Sequence, residues 1–375
     1  MPTKIKKIIS GKYFSVILTL LYTLLMFFTA YETNWALRLL SGRPHLYGAV
    51  YILFAIVTIL VILKEGFRFN FKNRIYRKAS AFLNCIILYH ILITLAWGFL
   101  CLIFDVIDTV KSIGIVASLI VAIIIVIYGY IRAKRIKIKP YSISLGAGKT
   151  DYRIALVSDI HLGALVGVEH IRKMVEEINS IKPDIVVIAG DIFNGDNLIL
   201  EDASRLKAIS KEFSKLMTNE GVYAVAGNHD PKINTKSFKH FMKDAGIKIL
   251  NNDVKTLSEI NLIGRTDDTH NTRTEITKIL PKADSTKPIV VLDHKPENIS
   301  DAAKQNVDLV LCGHTHKGQL FPVTVFTRLA SEKGCFYSYH KTGKTHSVIT
   351  SGIGFFELPV RIGSSNEIAD IMIKL

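Results

Sequence analysis

Seven side chains able to ligate a metal recur in five short clusters along the second half of the chain. The clusters are Asp159-Ile160-His161, Gly190-Asp191, Gly227-Asn228-His229-Asp230, Asp293-His294 and Gly313-His314-Thr315-His316. The candidate ligands are Asp159, His161, Asp191, Asn228, His294, His314 and His316. They offer two carboxylates, one amide oxygen, four imidazoles and no thiolate. In Asp159-x-His161 and His314-x-His316 the spacing of two places both side chains on one face if strand geometry continues. Seven donors exceed what one tetrahedral ion needs and suit two divalent ions sharing a bridging carboxylate. The mixture of oxygen and nitrogen suits manganese, iron or zinc and does not choose among them. Each cluster alone has an ordinary explanation, as a loop, a turn, a cap or a pair of surface histidines. All five in order, each at the end of an apolar run, point to one site.

Those runs have strand length: 152–158, 184–189, 222–226, 288–292 and 307–312 lead into the five clusters, with further runs at 261–264 and 347–351. Polar stretches compatible with helix lie at 167–181, 200–217 and 235–245. Alternating strand and helix signals predict an α/β fold. Ligands in open α/β sheets gather at the carboxyl ends of strands. Glycines ahead of the polar residues permit sharp turns and close backbone approach. Arg135-Ile136-Lys137-Ile138-Lys139 alternates with period two, which predicts a half-exposed first strand. Cys85, Cys101, Cys312 and Cys335 are scattered without a CxxC, so neither a disulfide framework nor a zinc ribbon is indicated. Cys312, in an apolar run, reads as a small hydrophobe.

The set D-x-H, G-D, G-N-H-D, H and G-H-T-H resembles the calcineurin-like metallophosphoesterases, over roughly residues 140–375. The subgroup with N-terminal membrane spans, found in bacteria, is the most similar. Leu262-Ile263-Gly264-Arg265 with Asp267-Asp268, the stretch 314–319, Ser351-Gly352-Ile353-Gly354 and Pro359-Val360-Arg361 extend the likeness more softly. The resemblance implies a four-layer αββα sandwich over residues 135–375. It implies that Asp159, His161, Asp191 and His316 hold one metal, and that Asp191 bridges to a second held also by Asn228, His294 and His314. His229 would face the phosphate as general acid or charge stabiliser, with Asp230 orienting its ring. Arg265 is the phosphate-clamp candidate, a surface salt bridge being the alternative. Lys317 stands where many members have glycine and is expected in solvent. His170, His240 and His270 are expected to be exposed, while His340 and His346 could border the site. The implied enzyme is a metal-dependent phosphodiesterase or pyrophosphatase. Two cations would neutralise the phosphoryl oxygens, and a bridging hydroxide would attack in line.

The first half is a different physical object. The chain has 375 residues, 49% apolar and 21% charged, which excludes a disordered polymer. Its formal charge of +15 lies wholly in residues 1–150, which hold 19 Lys and Arg against Glu32, Glu65, Asp105 and Asp108. Four apolar runs, at about 13–30, 46–63, 81–104 and 113–131, contain no Asp, Glu, Lys or Arg. Each is long enough to cross a bilayer core of ~30 Å as a helix, which predicts a four-span domain over residues 1–134. Basic segments at 4–12, 64–78 and 132–139 alternate with connections poor in Lys and Arg, which places both termini and the metal-site domain in the cytoplasm. His90 and Asn84 are the notable polar groups within the runs, and an interhelical hydrogen bond by a neutral imidazole is the expected role of His90.

The second half, residues 151–375, holds as many acids as bases. An electrostatic footprint for nucleic acid is therefore absent from the sequence. A multi-pass anchor beside a phosphoesterase site favours a substrate at the bilayer, either a lipid or a lipid-linked phosphoester. The alternatives are a soluble nucleotide substrate, with the spans only localising the enzyme, and a non-catalytic membrane scaffold.

Overall fold

The computed structural model describes residues 12–42, 51–52, 54–56, 74–146, 148, 150–195, 198–270 and 273–375. It divides into two compact units, Met1–Gly129 and Tyr130–Leu375.

In the first unit, helices α1 (Lys12–Ser41), α2 (Arg74–Ile103) and α3 (Asp108–Ala133, which runs into the second unit) carry the expected apolar runs. Among the described residues, α2 and α3 are long and apolar enough to cross a membrane. The run at 13–30 lies within α1, and the run at 46–63 falls mostly outside the described residues. His90 is fully buried and joins all three helices. Its Nε2 lies 2.8 Å from Thr33 Oγ1 and its Nδ1 lies 2.8 Å from Ser118 Oγ, while Thr94 Oγ1 lies 3.0 Å from the same serine. Both ring nitrogens are thus satisfied by hydroxyls, the interhelical role expected of a neutral imidazole.

The second unit holds two six-stranded sheets. Its strands are β1 (Ile136–Ser144), β2 (Asp151–Val157), β3 (Ile185–Ala189), β4 (Gly221–Val225), β5 (Ile247–Ile249), β6 (Asp253–Thr256), β7 (Asn261–Gly264), β8 (Ile289–Leu292), β9 (Leu309–Cys312), β10 (Ser338–Thr342), β11 (Thr345–Ile349) and β12 (Asn366–Lys374). One sheet has the order β1-β12-β2-β3-β4-β5 and the other β10-β11-β9-β8-β7-β6. Strands β2, β3 and β4 run parallel to one another, as do β7, β8 and β9, while β12 lies antiparallel to β2. Both sheets are therefore mixed.

Alternation along each strand assigns every apolar side chain to a layer. Ile154, Leu156, Ile185 and Val187 meet Leu262, Val290, Leu292 and Leu311 from the other sheet in a shared core. Ala155, Val157, Val186 and Ile188 face helices α4 (Val168–Ser180), α5 (Ala203–Phe213) and α6 (Lys236–Ala245). The outer face of the second sheet, with Ile263, Val291 and Val310, is covered by residues of short 3-10 turns and of helix α7 (Ile299–Lys304). Central strands buried on both faces read as continuous apolar runs, which is why the sequence shows β3 and β9 so plainly.

Strands β5, β6, β10 and β12 and helix α8 (Val323–Ala330) are not anticipated by the sequence pattern. β5 and β6 are three and four residues long, below the length at which alternation is legible. β12 breaks the alternation because Asn366, Glu367 and Asp370 are buried in it.

Candidate metal centre

The carboxyl ends of β2, β3, β8 and β9 converge, and each delivers a donor within a few residues. Two groups form: Asp159, His161 and His316 in one, and Asp191, His294 and His314 in the other, with the ligand atoms of each lying within 4.8 Å of one another. Asp191 stands between the groups. Its Oδ2 is 3.3 Å from His294 Nε2 and 3.8 Å from His161 Nε2. Asn228, from the turn after β4, brings Oδ1 to 3.0 Å from His294 Nε2. The structure thus gathers all seven sequence-predicted donors into one place.

The donors face each other in a way that calls for positive charge between them. His161 Nε2 and His316 Nε2 are 3.1 Å apart, and His314 Nδ1 is 3.1 Å from His294 Nε2. The donors are withdrawn from bulk solvent: Asp159, His161, Asp191, His294 and His316 are all buried. Burial lowers the His161 imidazole to about 3 and the His314 imidazole to about 4, and pushes His316 well below its ordinary value. These rings are neutral at pH 7, the form that ligates. Burial pulls His294 the same way but loses to the adjacent Asp191 and Asp159 carboxylates, and the ring is raised to about 10. Burial works to raise Asp191 too, but His294 and then His161 hold it below the ordinary carboxylate range. Asp159 is raised to about 6 by burial, against His294. A pocket that neutralises three imidazoles and draws a proton to the fourth suits divalent cations, so the residues fit a dimetal centre.

The orientation of the ligands is set by the backbone. Asp159, His161, Asp191, His314 and His316 all have left-handed φ, between 49° and 72°. Non-glycine residues rarely adopt this region, and strain of this kind clusters at functional sites. His294 Nδ1–H donates to Ala189 O at 2.7 Å, which aims Nε2 inward. The His314 amide donates to both oxygens of Asp159, and Ser158 Oγ–H donates to Asp159 Oδ2. The His229 amide donates to Asp191 Oδ1 at 2.8 Å, leaving Oδ2 for the centre. Gly227 leaves no room for a side chain beside the bridging carboxylate: a Cβ there would lie 2.2 Å from Asp191 Oδ1.

The structure corrects several expectations. Asp230 does not orient the His229 ring. Its Oδ1 accepts from the Phe193 amide and its Oδ2 from the Gly227 amide, both at 2.8 Å, so it braces two site loops together. Arg265 is neither a phosphate clamp nor a surface ion pair. It is 4% exposed and ion-paired with Asp293, beside Arg273, underneath the turn that carries His294. Lys317 is not free in solvent, since its Nζ lies 4.5 Å over the Tyr337 ring. His170 and His270 are half-buried and donate to Ile353 O and Gly227 O. His340 and His346 engage Tyr337 O and Tyr339 Oη within the segment around the β10–β11 hairpin.

Three residues outside the ligand motifs, two of them within the softer matches, support the wall of the site. Phe356 packs its ring 5.0 Å from His229, 5.6 Å from His161 and 6.2 Å from His316. Gln319 holds that loop, accepting from the Phe356 amide and donating to Phe356 O and Leu358 O. Arg361 is fully buried, and its guanidinium donates to the carbonyls of His316, Ser351 and Gly354. The soft match at Pro359-Val360-Arg361 is the one sequence signal that touched it.

Residues 152–318 match the calcineurin-like phosphoesterase family. The chain carries a calcineurin-like metallophosphoesterase domain. A metallophosphoesterase of Helicobacter pylori is 32% identical over 63% of this chain and 63% of its own length. A transmembrane protein with metallophosphoesterase domain from Danio rerio is 30% identical over 69% of this chain and 62% of its own. A shorter metallophosphoesterase of Aquifex aeolicus is 27% identical over 68% of this chain and 98% of its own. The match thus spans less than two thirds of the Helicobacter and Danio proteins.

Proposed function

We propose that this metallophosphoesterase domain hydrolyses a phosphodiester or pyrophosphate bond at a dimetal centre, on a lipid or lipid-linked substrate. The observation that carries the hydrolytic part is the convergence of both donor groups on Asp191 Oδ2, 3.3 Å from His294 and 3.8 Å from His161. Asp159, His161 and His316 would hold one ion, Asn228, His294 and His314 the other, and Asp191 both. Bound there, the pair would neutralise phosphoryl oxygens and lower the pKa of a water. The chain's own groups do the rest. His294 and Asp191 are locked by Ala189 O and the His229 amide, so they need no reorganisation during reaction. His229 is half-buried beside His161 and is the group placed to give a proton to the leaving oxygen. Phe356 closes one side and limits water.

Membrane attachment is supported by α2 and α3, and by the relative from Danio rerio whose name describes a transmembrane protein. We take the runs at 13–30 and 46–63 as two further spans, and the basic segments as placing the domain in the cytoplasm. A site held at a bilayer meets lipid headgroups at high local concentration, which supports a lipid substrate. The test is a hydrolysis panel with the full chain in detergent and in vesicles, with manganese or with chelator. It covers phospholipids, lipid pyrophosphates, cyclic nucleotides and a chromogenic diester. Lipid turnover that exceeds nucleotide turnover and is lost in His229→Ala and Asn228→Ala is expected. Faster turnover of nucleotides would overturn the lipid reading, and activity that survives chelation would overturn the metal reading.

A further inference from the structure

Helix α8 (Val323–Ala330) is built inside out. It begins five residues after Gly318 of the metal-site turn. On a helical wheel Val323, Val325, Phe326, Leu329 and Ala330 share one broad face, with Thr324, Thr327 and Arg328 on the other. In α4 and α6 the apolar face packs inward, burying Ile171, Met174 and Ile178, and Phe238, Phe241 and Met242. In α8 the half-buried residues are Thr324 and Thr327 instead, and Arg328 is exposed. The Thr324 backbone and side chain pack against Gly318 and Gly363, and the Thr324 amide donates to Leu320 O. No residue of α8 is buried. Leu329 is 78% exposed, Phe326 65%, Val325 44% and Val323 43%, and Phe321 just before the helix is 53% exposed. A contiguous exposed apolar face beside a functional site marks an interaction surface.

The charge around it names the partner. Residues 317–344 hold Lys317, Arg328, Lys333, Lys341 and Lys344 against Glu332 alone, in a half of the chain whose remainder has more acids than bases. Tyr339 and Phe356 add exposed aromatic rings. An apolar face with aromatic residues and a basic surround is the pattern of a helix lying in the boundary of an anionic bilayer. A second copy of this surface would set like charges against one another. We propose that α8 with Phe321 docks into the interfacial layer of an anionic membrane. The proposal rests on the membrane-span reading, since two residues join Ala133 of α3 to Ile136 of β1.

The test uses the full chain in phosphatidylcholine vesicles, with and without phosphatidylglycerol. A fluorophore is attached at Leu329→Cys, or separately at Phe326→Cys, in a Cys335→Ser background, the other three cysteines being buried. Lys211→Cys on α5 is the reference. Lipids carrying a doxyl quencher should quench the label on α8 about threefold more than the reference, and more in anionic vesicles. Arg328→Gln with Lys333→Gln should remove that extra anionic share. Equal quenching at α8 and at the reference overturns the proposal, as does disulfide-linked dimer formation through Leu329→Cys without lipid quenching. Quenching of Trp97 in α2 by the same lipids, in a Trp35→Phe background, reports the span reading separately. Trp97 quenched with α8 unquenched leaves the spans standing and sinks the docking; neither quenched sinks both.

Discussion

Replacing Gly227 by Ala tests whether the position of Asp191 sets activity. The new Cβ would lie 2.2 Å from Asp191 Oδ1, 2.5 Å from its amide nitrogen and 2.9 Å from its Cγ. Ordinary contact begins near 3.4 Å, so the two turns must part by about 1 Å. Overpacking of that size costs about 1–3 kcal/mol of stability. A displacement of about 1 Å in a reacting constellation costs on the order of 100-fold in rate. The expected outcome is a folded protein with a modestly lower Tm, a weakened manganese isotherm and about 100-fold slower turnover of a chromogenic diester. Gly246→Ala is the matched control. Gly246 has φ +71° and open space around it, so Ala there is strained by about 1–2 kcal/mol without touching the site. Similar Tm losses with turnover affected only in Gly227→Ala would isolate geometry from stability. Turnover in Gly227→Ala within about twofold of wild type would refute the claim that this spacing positions the bridging carboxylate.

Three further outcomes follow from the same contacts. Asp230→Ala orphans the buried amides of Phe193 and Gly227, at about 1–3 kcal/mol each, so its Tm should fall by several degrees while that of His229→Ala holds; equal melts would restore Asp230 as a ring-orienting group. Asp267 is lowered to about 2, since Thr269 and Lys295 outweigh the burial that would raise it. A lowered carboxylate contributes stability above its unfolded pKa near 4 and loses it as pH falls through 2, so Asp267→Asn should cost roughly 1–2 kcal/mol at pH 7 and only a small part of that near pH 2, which paired denaturation curves would check. Chelation should abolish turnover and lower Tm by several degrees, restored by manganese, because an ion at a hundred times its Kd stabilises by about 2.7 kcal/mol.

Much of the site is legible in the sequence because donors had to follow strands. Asp159, Asp191, Asn228, His294 and His314 each come within a few residues of a buried apolar run, and the parallel order of those strands puts their ends on one edge. What was not legible acts through the backbone or through distant loops. Nothing in the type of Asp230 says that two amides will claim its oxygens. Arg265 stands beside an acidic pair, Asp267-Asp268, yet its partner is Asp293, a neighbour only across the β7–β8 pairing. Phe356 and Gln319 lie in segments without periodicity, and their meeting depends on tertiary contacts that no local pattern encodes.

The strained backbone of the ligands raises the question of what holds it. Five ligands in left-handed conformation, at about 1–2 kcal/mol each, sum to a sizeable part of the 5–15 kcal/mol that stabilises a whole domain. The ladders of the sheets continue past the strand ends to meet that cost. The Asp159 amide donates to Gly190 O and the His161 amide to Asp191 O, each at 3.0 Å. The Asp293 amide donates to Leu311 O and the Gly313 amide to His294 O. The turns thus brace one another as strands do, below them lie cores built from both sheets, and Arg361 ties the His316 turn to the loop at Ser351–Gly354. Strain supported this way is carried by the sheets and the turns that continue them. That separates the centre from small metal-folded domains, in which ligands come together only with the ion. It also explains why removal of metal should cost degrees of Tm rather than the fold, and why a methyl group at Gly227, which parts two braced turns, should cost more in rate than in stability.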